Sequence, residues 1–203
     1  MGLEPIVAPL LRIEPLDVGA PNLTDVTALA FTSVNGVEAF AALTDRRDRP
    51  VFTVGDRTAE AARVAGFGAV RSAGGAIGDL ADLLRREARG VVLVPGAQEP
   101  AGDIAALLAG AAVEARLLPV YAAIGTGATA PDAFDAVLVH SPRAGRALAA
   151  ITGAGQAAES VAVAISEAAA APLRSLLWRE IRIAAHPDEN AMMSALGNPP
   201  RSV

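Results

Sequence analysis

The feature that most constrains the fold is a regular alternation of short apolar runs with alanine-rich helical stretches along almost the whole sequence. The apolar runs are continuous, which is typical of strands buried on both faces of a parallel sheet. A repeated strand–helix–strand order predicts an α/β fold with helices on both sides of the sheet. The predicted strands are Pro5–Pro9, Val26–Thr32, Val51–Val54, Ala69–Ser72, Gly90–Val94, Glu114–Tyr121, Ala136–His140, Val161–Ile165 and Ile181–Ala184. The predicted helices are Gly36–Leu43, Thr58–Ala65, Gly78–Ala88, Gly102–Leu108, Arg143–Ala150, Glu167–Trp178 and Asn190–Leu196.

Two loops without periodicity divide this alternation. Asp17–Thr24 is a loop of glycine, proline and asparagine, and Tyr121–Pro131 is a second, glycine-rich one. Loops of this kind mark the segments that connect compact lobes. We therefore predict a central lobe of residues 17–118, inserted into a discontinuous lobe of residues 1–16 and 119–203.

Composition excludes several classes of protein. The chain has no cysteine, which excludes a disulfide framework, cysteine-ligated zinc, iron–sulfur clusters and thiol catalysis. Its 17 basic residues, all arginine, are scattered among 22 acidic residues, so we expect no nucleic-acid partner. The longest uncharged run, Leu117–Pro131, is shorter than the roughly 20 residues that span a bilayer. The sequence also begins without the pattern of a signal peptide, and we therefore expect a cytoplasmic protein with no membrane partner.

Small and polar residues follow nearly every predicted strand. In open parallel sheets, ligands bind beyond the carboxyl ends of the strands, where loops turn into helix N-termini. Residues of this type cap a helix by accepting hydrogen bonds from its free amides. Several such amides that converge on one cleft can instead hold an anion. Both interpretations stay open for the turns at Thr32–Gly36, Gly55–Thr58, Pro95–Gln98, His140–Arg143, Ser166–Glu167 and His186–Glu189.

Several sharper motifs are absent from the sequence. The loop with Gly125 and Gly127 lacks a third glycine that opens a helix in the required register, which argues against a dinucleotide fingerprint. A chain without lysine has no phosphate-loop lysine. The two histidines, His140 and His186, are too few for a histidine-based metal site, and we interpret each as a structural or helix-capping residue. Ser141 has no nucleophile elbow around it, which disfavours hydrolase chemistry.

Tyr121 is the only tyrosine of the chain, and it lies at the end of a predicted strand where the chain passes between the lobes. A phenol is a weak acid that can protonate a leaving hydroxyl without being ionised itself. The alternative is that the ring packs at the lobe boundary with its hydroxyl in water. Chemistry alone leaves both interpretations open.

The order of motifs along the chain is more specific than any one of them. The most distinctive pair is FTS…V at Phe31–Val34 and VGDRTAEA at Val54–Ala61. The full series is PIVAPLLRIEPL, ALAFTSVNGVEAF, PVFTVGDRTAEAARVAGFGAV, AIGDLADLL, VVLVPG with GDIAALL, LLPVYAA, DAVLVHSPRAGRAL, VAVAIS and IRIAAHPDENAMMSAL. In this order, and over nearly all 203 residues, the series resembles the uroporphyrinogen-III synthase family.

The resemblance implies two flavodoxin-like parallel-sheet lobes joined by a two-stranded linker, with the central lobe as the inserted one. It implies a cyclising lyase of porphyrin and haem biosynthesis. In its reaction hydroxymethylbilane, a linear tetrapyrrole, loses water and closes to uroporphyrinogen III with its last pyrrole ring inverted. No metal or organic cofactor is implied. The implied partners are the substrate and hydroxymethylbilane synthase as its transient donor, and we expect the chain to be a monomer.

The resemblance also implies site residues. The tyrosine of the returning linker maps onto Tyr121, which is the expected catalytic residue and would assist departure of the hydroxyl. The substrate carboxylates are expected to bind strand-end loops and helix N-termini in a cleft between the lobes. The expected substrate-binding residues are Thr32, Ser33, Gly55, Asp56, Thr58, Gly96, Ser141, Arg143 and Ser166.

This sequence departs from the family pattern at two places. Many family members place threonines at the third strand–helix junction of the final lobe, where this chain has Ser166–Ala169, so we expect the contact to be lost or to pass to Ser166. Family chains also open with a strand that ends in an Arg-Pro turn, followed by a helix. We expect that strand and helix of the discontinuous lobe to be missing here. The alternatives to an active enzyme are a non-catalytic, two-lobed polyanion-binding module and an inactive truncated paralogue.

Overall fold

The structure, a computed structural model, describes residues 3–197. The chain divides into two compact units, of which one is Ile13–Ile124 and the other is Met1–Arg12 together with Gly125–Val203. The polypeptide crosses from one unit to the other within two strands, β1 (Leu11–Pro15) and β6 (Val113–Gly125). Among the helices of residues 3–197, none has the length and apolar character needed to cross a membrane.

Strands and helices alternate in the unit Ile13–Ile124. Between β1 and β6 the chain forms β2 (Val26–Phe31), α1 (Val34–Leu43), β3 (Val51–Thr53), α2 (Asp56–Val64), β4 (Val70–Ser72), α3 (Ile77–Glu87), β5 (Gly90–Ala97) and α4 (Ile104–Leu107). The six strands form one sheet in the order β1-β6-β5-β2-β3-β4. The neighbours from β6 to β4 are parallel, and parallel pairs need crossover connections, which the helices supply.

Strand β2 illustrates how helices cover both faces of this sheet. On one face, Ala30 is buried in a cluster with Leu80 of α3. On the other face, Phe31 is buried with Phe40 of α1, and their ring centroids are 5.8 Å apart. A strand buried on both faces carries apolar side chains on both, which is why Val26–Phe31 contains so few polar residues. The carboxyl end of this strand then leads directly into α1.

The second unit is built on a smaller parallel sheet. Its elements are β7 (Ala136–Val139), α5 (Pro142–Ile151), α6 (Ala154–Glu159), β8 (Val161–Ala164), α7 (Glu167–Ala170), a 3-10 helix (Ala171–Ser175), β9 (Glu180–Ile183) and α8 (Glu189–Leu196). The strand order is β7-β8-β9, and both pairs are parallel. The central strand β8 is buried on both faces, because Ala164 packs in a cluster with Leu173 while Val163 packs in another with Leu196.

The predicted α/β fold with parallel strands is confirmed. The predicted strand Pro5–Pro9 is wrong, because these residues form no strand and β1 begins at Leu11. Both ends of that segment are prolines, which have no N–H to donate to a strand ladder. The predicted helix Glu167–Trp178 is too long. It is divided into α7 and a 3-10 helix that ends at Ser175, because Pro172 cannot continue α-helical hydrogen bonding.

Candidate functional site

The first candidate turn joins β2 to α1 and is organised by Ser33. Ser33 is the N-cap residue of α1, and its Oγ accepts a hydrogen bond from the backbone N–H of Gly36 at 3.1 Å. A serine at this position satisfies one of the amides that the start of a helix leaves without a partner. The preceding residue, Thr32, is half-buried. The capping interpretation of this turn is therefore confirmed for Ser33.

Tyr121 lies in β6 with its side chain buried, since only 7% of the residue is exposed. Its hydroxyl lies 3.0 Å from Ser33 Oγ, although the two residues are 88 positions apart in the sequence. Its backbone carbonyl accepts a hydrogen bond from Gln98 N–H at 2.8 Å. Both the side chain and the main chain of Tyr121 are therefore held by neighbours, and its hydroxyl contacts Ser33 instead of standing alone in water.

Gly96 lies within β5. The sequence predicts a shorter strand, with Gly96 in the turn that follows it. Gly96 pairs with Pro119 of β6, and the next residue, Ala97, pairs with Tyr121. A β-carbon built on Gly96 would meet no atom within 4 Å. Gly96 is thus close to Tyr121 along the paired strands, and it leaves open space that a larger residue would occupy.

In the turn between β3 and α2, backbone amides are better placed to bind an anionic ligand than side chains are. Gly55 is the N-cap residue of α2, and no side chain caps this helix. Free amides at a helix start favour an anion. Asp56 is exposed in the first turn, where the helix dipole favours a carboxylate, but its charge would repel an anionic ligand. Thr58 is buried, with 5% of the residue exposed.

The second unit places two candidate serines at the carboxyl ends of neighbouring strands. Ser141, after β7, is the N-cap residue of α5, and its Oγ accepts from Ala144 N–H at 3.1 Å. Ser166, after β8, is the N-cap residue of α7, and its Oγ accepts from Ala169 N–H at 3.3 Å. Because β7 and β8 are adjacent and parallel, these two turns lie along the same sheet edge. Arg143 lies in the first turn of α5 and is half-buried.

The histidines follow β7 and β9 but do not form a metal centre. His140 Nε2 lies 3.2 Å from Glu189 Oε2 in an exposed pair. His186 lines an open surface groove beside α8 with Asp188 and Ser194. Within residues 3–197, no group of three or more histidine or carboxylate side chains is arranged to hold a metal ion.

Shifted pKa values belong to ion pairs on the surface. The Arg116 guanidinium hydrogen-bonds Asp25 and lowers the pKa of that carboxyl. The Arg46 guanidinium likewise lowers the pKa of Asp48 to about 2. Asp25 precedes β2, at the opposite end of that strand from Ser33. These pairs therefore act on the electrostatics of the surface and not on the Ser33–Tyr121 contact.

The roles of Gly36 and Pro119 are not among those predicted from the sequence. A β-carbon on Gly36 would come 2.8 Å from the carbonyl oxygen of Pro95, so any larger residue would force α1 or β5 to shift. Pro119 lies in β6, which has β1 on one side and β5 on the other. A glycine inside a helix and a proline inside a strand are the local signals that could have identified both positions.

Comparisons with known proteins agree on one family. A family model described as uroporphyrinogen-III synthase HemD matches residues 1–194. The solved uroporphyrinogen-III synthetase of Helicobacter pylori is similar in fold, with a TM-score of 0.70 and 18% identity over 91% of this chain and 88% of that chain. A mutant uroporphyrinogen III synthase of Thermus thermophilus is similar with a TM-score of 0.58 and 16% identity, over 95% of this chain and 88% of that chain.

No curated protein matches this chain. At identities below 20%, the solved structures establish the shared α/β fold only, because one fold can carry several activities. The family model covers all but the last residues of the chain. The chain therefore belongs to the uroporphyrinogen-III synthase family, a family of cyclising lyases in tetrapyrrole biosynthesis.

Proposed function

We propose that this chain cyclises hydroxymethylbilane to uroporphyrinogen III, with Tyr121 as the catalytic residue. The observation that carries the assignment to Tyr121 is its hydroxyl, buried in β6 and in contact with Ser33 at 3.0 Å. A phenol held in this way can present its proton in one direction, which is what an acid that assists a leaving group requires. The family assignment supports the reaction, and the buried contact with Ser33 supports the choice of Tyr121.

The reactivity of the substrate itself supplies most of what the reaction requires. Loss of the hydroxyl leaves a cation that the adjacent pyrrole nitrogen stabilises, so no protein nucleophile, metal or organic cofactor takes part. The substituted carbon of the last ring then attacks, giving a spiro intermediate that fragments and recloses with that ring inverted. Because the bilane closes spontaneously to the uninverted isomer, the protein must select one folded geometry of the substrate.

Tyr121 would take part in the first and the last proton transfer of this reaction. Its O–H gives a proton to the departing hydroxyl as the C–O bond breaks, and water leaves. Ring closure later releases a proton from the carbon that forms the new bond, and the phenolate takes it up. The phenol is therefore regenerated in each cycle, and the net reaction is loss of one water.

Backbone amides at strand ends would hold the substrate carboxylates. In the unit Ile13–Ile124, the α2 start at Gly55 has no side-chain cap, and the space beside Gly96 is open. In the other unit, the turns of Ser141 and Ser166 lie on one sheet edge. Amides suit this role because they bind carboxylates without adding a basic residue. Arg143 is the one guanidinium in this set and would add a charged donor.

The finer architecture belongs to the same proposal. Each unit would act as a flavodoxin-like lobe, and β1 and β6 would serve as the two-stranded linker between them. The enzyme would work as a monomer in the cytoplasm. Hydroxymethylbilane synthase would pass the unstable substrate to it directly.

The test is an isomer assay with freshly prepared hydroxymethylbilane. We expect the wild-type chain to form uroporphyrinogen III faster than the spontaneous reaction forms the uninverted isomer. Tyr121→Phe should lower formation of the inverted isomer at least several-fold, and lower the free energy of unfolding by no more than about 1.5 kcal/mol, the cost of one hydrogen bond. Exclusive formation of the uninverted isomer at the spontaneous rate by the wild-type chain would overturn the activity. Saturable binding of the tetrapyrrole without turnover would instead favour a polyanion-binding module.

A further inference from the structure

We propose that Ser33 is a positioning residue that orients the hydroxyl of Tyr121, and that it is not a ligand of a substrate carboxylate. This inference rests on the proposed catalytic role of Tyr121. Its basis is the 3.0 Å contact between Ser33 Oγ and the Tyr121 hydroxyl, together with the way each residue is held in place. From the sequence alone, Ser33 is expected to bind the substrate, so the two interpretations make different predictions.

The hydrogen-bonding capacity of Ser33 is nearly used up by its neighbours. A serine hydroxyl has one proton to donate and two lone pairs to accept with. One lone pair accepts the Gly36 N–H at 3.1 Å. When the Ser33 proton is donated to the Tyr121 oxygen, the Tyr121 proton is free to be donated to a leaving hydroxyl. In this arrangement Ser33 has no proton left for a carboxylate, which accepts hydrogen bonds and cannot donate them when ionised.

The position of Ser33 is fixed by the contact between α1 and β5. The Gly36 backbone approaches Pro95 so closely that a β-carbon on Gly36 would lie 2.8 Å from the Pro95 carbonyl oxygen. Gln98, just after β5, donates its backbone N–H to the Tyr121 carbonyl at 2.8 Å. The same short segment, 95–98, therefore holds the start of α1 and the backbone of Tyr121.

The direction of Tyr121 depends on a register shift between β5 and β6. Gly96 pairs with Pro119, but the next residue, Ala97, pairs with Tyr121. One extra residue, Val120, therefore stands in β6 where β5 has none. Side chains alternate along a strand, so one extra residue reverses the side to which every later side chain points.

Two observations explain why the shift occurs at this point. Pro119 has no N–H for the ladder, and prolines inside sheets occur at irregularities of this kind. The carbonyl of Val120 accepts a hydrogen bond from Leu16 N–H at 2.9 Å, so the extra residue is held from its other side. Val120 and Tyr121 are both buried, at 1% and 7% exposure. The shift thus turns Tyr121 toward Ser33.

The experiment is a double-mutant cycle on isomer formation with Ser33→Ala, Tyr121→Phe and the double variant. We expect Ser33→Ala to lower kcat by about 3- to 10-fold with KM unchanged, as for loss of one orienting hydrogen bond. In the Tyr121→Phe background the same substitution should change kcat by less than about 2-fold. Ser33→Thr keeps the hydroxyl and should restore kcat. A rise in KM without loss of kcat would identify Ser33 as a substrate ligand and overturn the proposal.

Two controls separate positioning from loss of the helix cap. Asp103 caps α4 in the same unit by accepting from Ala106 N–H at 2.9 Å, so Asp103→Ala removes a cap without touching Tyr121 and should leave kcat unchanged. Ser33→Gly removes the hydroxyl at little cost to the cap, and it should reproduce the loss of kcat if Ser33→Ala folds poorly. Equal effects of Ser33→Ala in the wild-type and Tyr121→Phe backgrounds would overturn the proposal.

The single tyrosine of the chain gives a readout that does not require turnover. A 13C label at the ζ carbon of tyrosine reports one resonance, from Tyr121. We expect Ser33→Ala to shift this resonance and Asp103→Ala to leave it unchanged. An unshifted resonance in Ser33→Ala would overturn the positioning role while leaving the proposed function intact. Unchanged activity of Tyr121→Phe would instead remove Tyr121 from the mechanism, so the two failures are distinguishable.

Discussion

The backbone of Gly36 in α1 lies against the carbonyl oxygen of Pro95 in β5, at a distance where a β-carbon on Gly36 would come to 2.8 Å. Gly36 is also the residue whose N–H is accepted by Ser33 Oγ. The start of α1 therefore packs against β5, the strand that pairs with Tyr121. A change at this one position should affect both the stability of the unit Ile13–Ile124 and the geometry around Tyr121.

Gly36→Ala should destabilise the chain by about 1–3 kcal/mol, because the contacting atom belongs to the backbone and must shift to admit a methyl group. Urea unfolding measures the change. Gly78→Ala is the matched control, since Gly78 lies in α3 with no atom within 4 Å of its built β-carbon. Removing a helical glycine there should stabilise by up to about 1 kcal/mol. Equal effects of the two substitutions would contradict the packing argument.

Gly145, in α5 of the other unit, also lies close to a backbone carbonyl. Its built β-carbon would lie 2.6 Å from the carbonyl oxygen of Ala169, where α5 meets α7. Gly145→Ala should therefore destabilise this unit by about 1–3 kcal/mol. Gly155→Ala in α6, with open space around the built β-carbon, is the control and should be neutral or stabilising. Wild-type stability of Gly145→Ala in thermal unfolding would show that α5 can move away from α7.

Strands buried on both faces were predictable from the sequence, because burial on both faces requires a continuous run of apolar residues. Val26–Thr32 is predicted and Val26–Phe31 is observed, since an apolar run marks a strand between two helical layers. Irregular segments were less predictable. Pro5–Pro9 is as apolar as a strand, but strand formation also needs a partner and free N–H groups, which a short pattern does not encode.

The positions of most candidate site residues were predictable, but their contacts were not. Ser33 follows a strand and precedes a helix, and both facts are local. Its contact with Tyr121 joins residues 88 positions apart and depends on the register shift between β5 and β6. The register of β6 is set by its pairing within the sheet, where it lies between β1 and β5. A single turn motif carries no information about it.

Asp48 should remain ionised at a pH where an ordinary aspartate is half protonated. Its hydrogen bond with Arg46 lowers the pKa from 3.8 to about 2. A lowered pKa in the folded state means that the pair contributes stability above pH 3.8, and that this contribution is lost as the pH falls toward 2. Carboxyl NMR at pH 3 should show Asp48 largely ionised. In Arg46→Ala, its titration should move toward the ordinary value, and a titration that stays in place would contradict the assigned cause.

Arg47 joins the carboxyl ends of α1 and α2. Its guanidinium donates to the carbonyl oxygens of Ala41 at 3.1 Å, Thr44 at 2.6 Å and Ala65 at 2.7 Å, and it lies 4.8 Å from the ring centroid of Phe67. Carbonyls at helix ends lack partners within the helix, and a cation there also offsets the helix dipole.

Arg47→Ala should therefore lower the free energy of unfolding by about 2–3 kcal/mol, as expected when hydrogen bonds to a charged group are removed. Arg47→Lys should recover only part of this, because an ammonium cannot reach several carbonyls in the planar geometry of a guanidinium. Arg63→Ala is the control, since Arg63 in α2 forms an exposed pair with Glu60 at 3.4 Å, and should change stability by less than about 0.5 kcal/mol. Urea unfolding of the three variants measures these changes in stability. If Arg63→Ala lost as much stability as Arg47→Ala, the loss would come from surface charge in general and not from the hydrogen bonds that join the two helix ends.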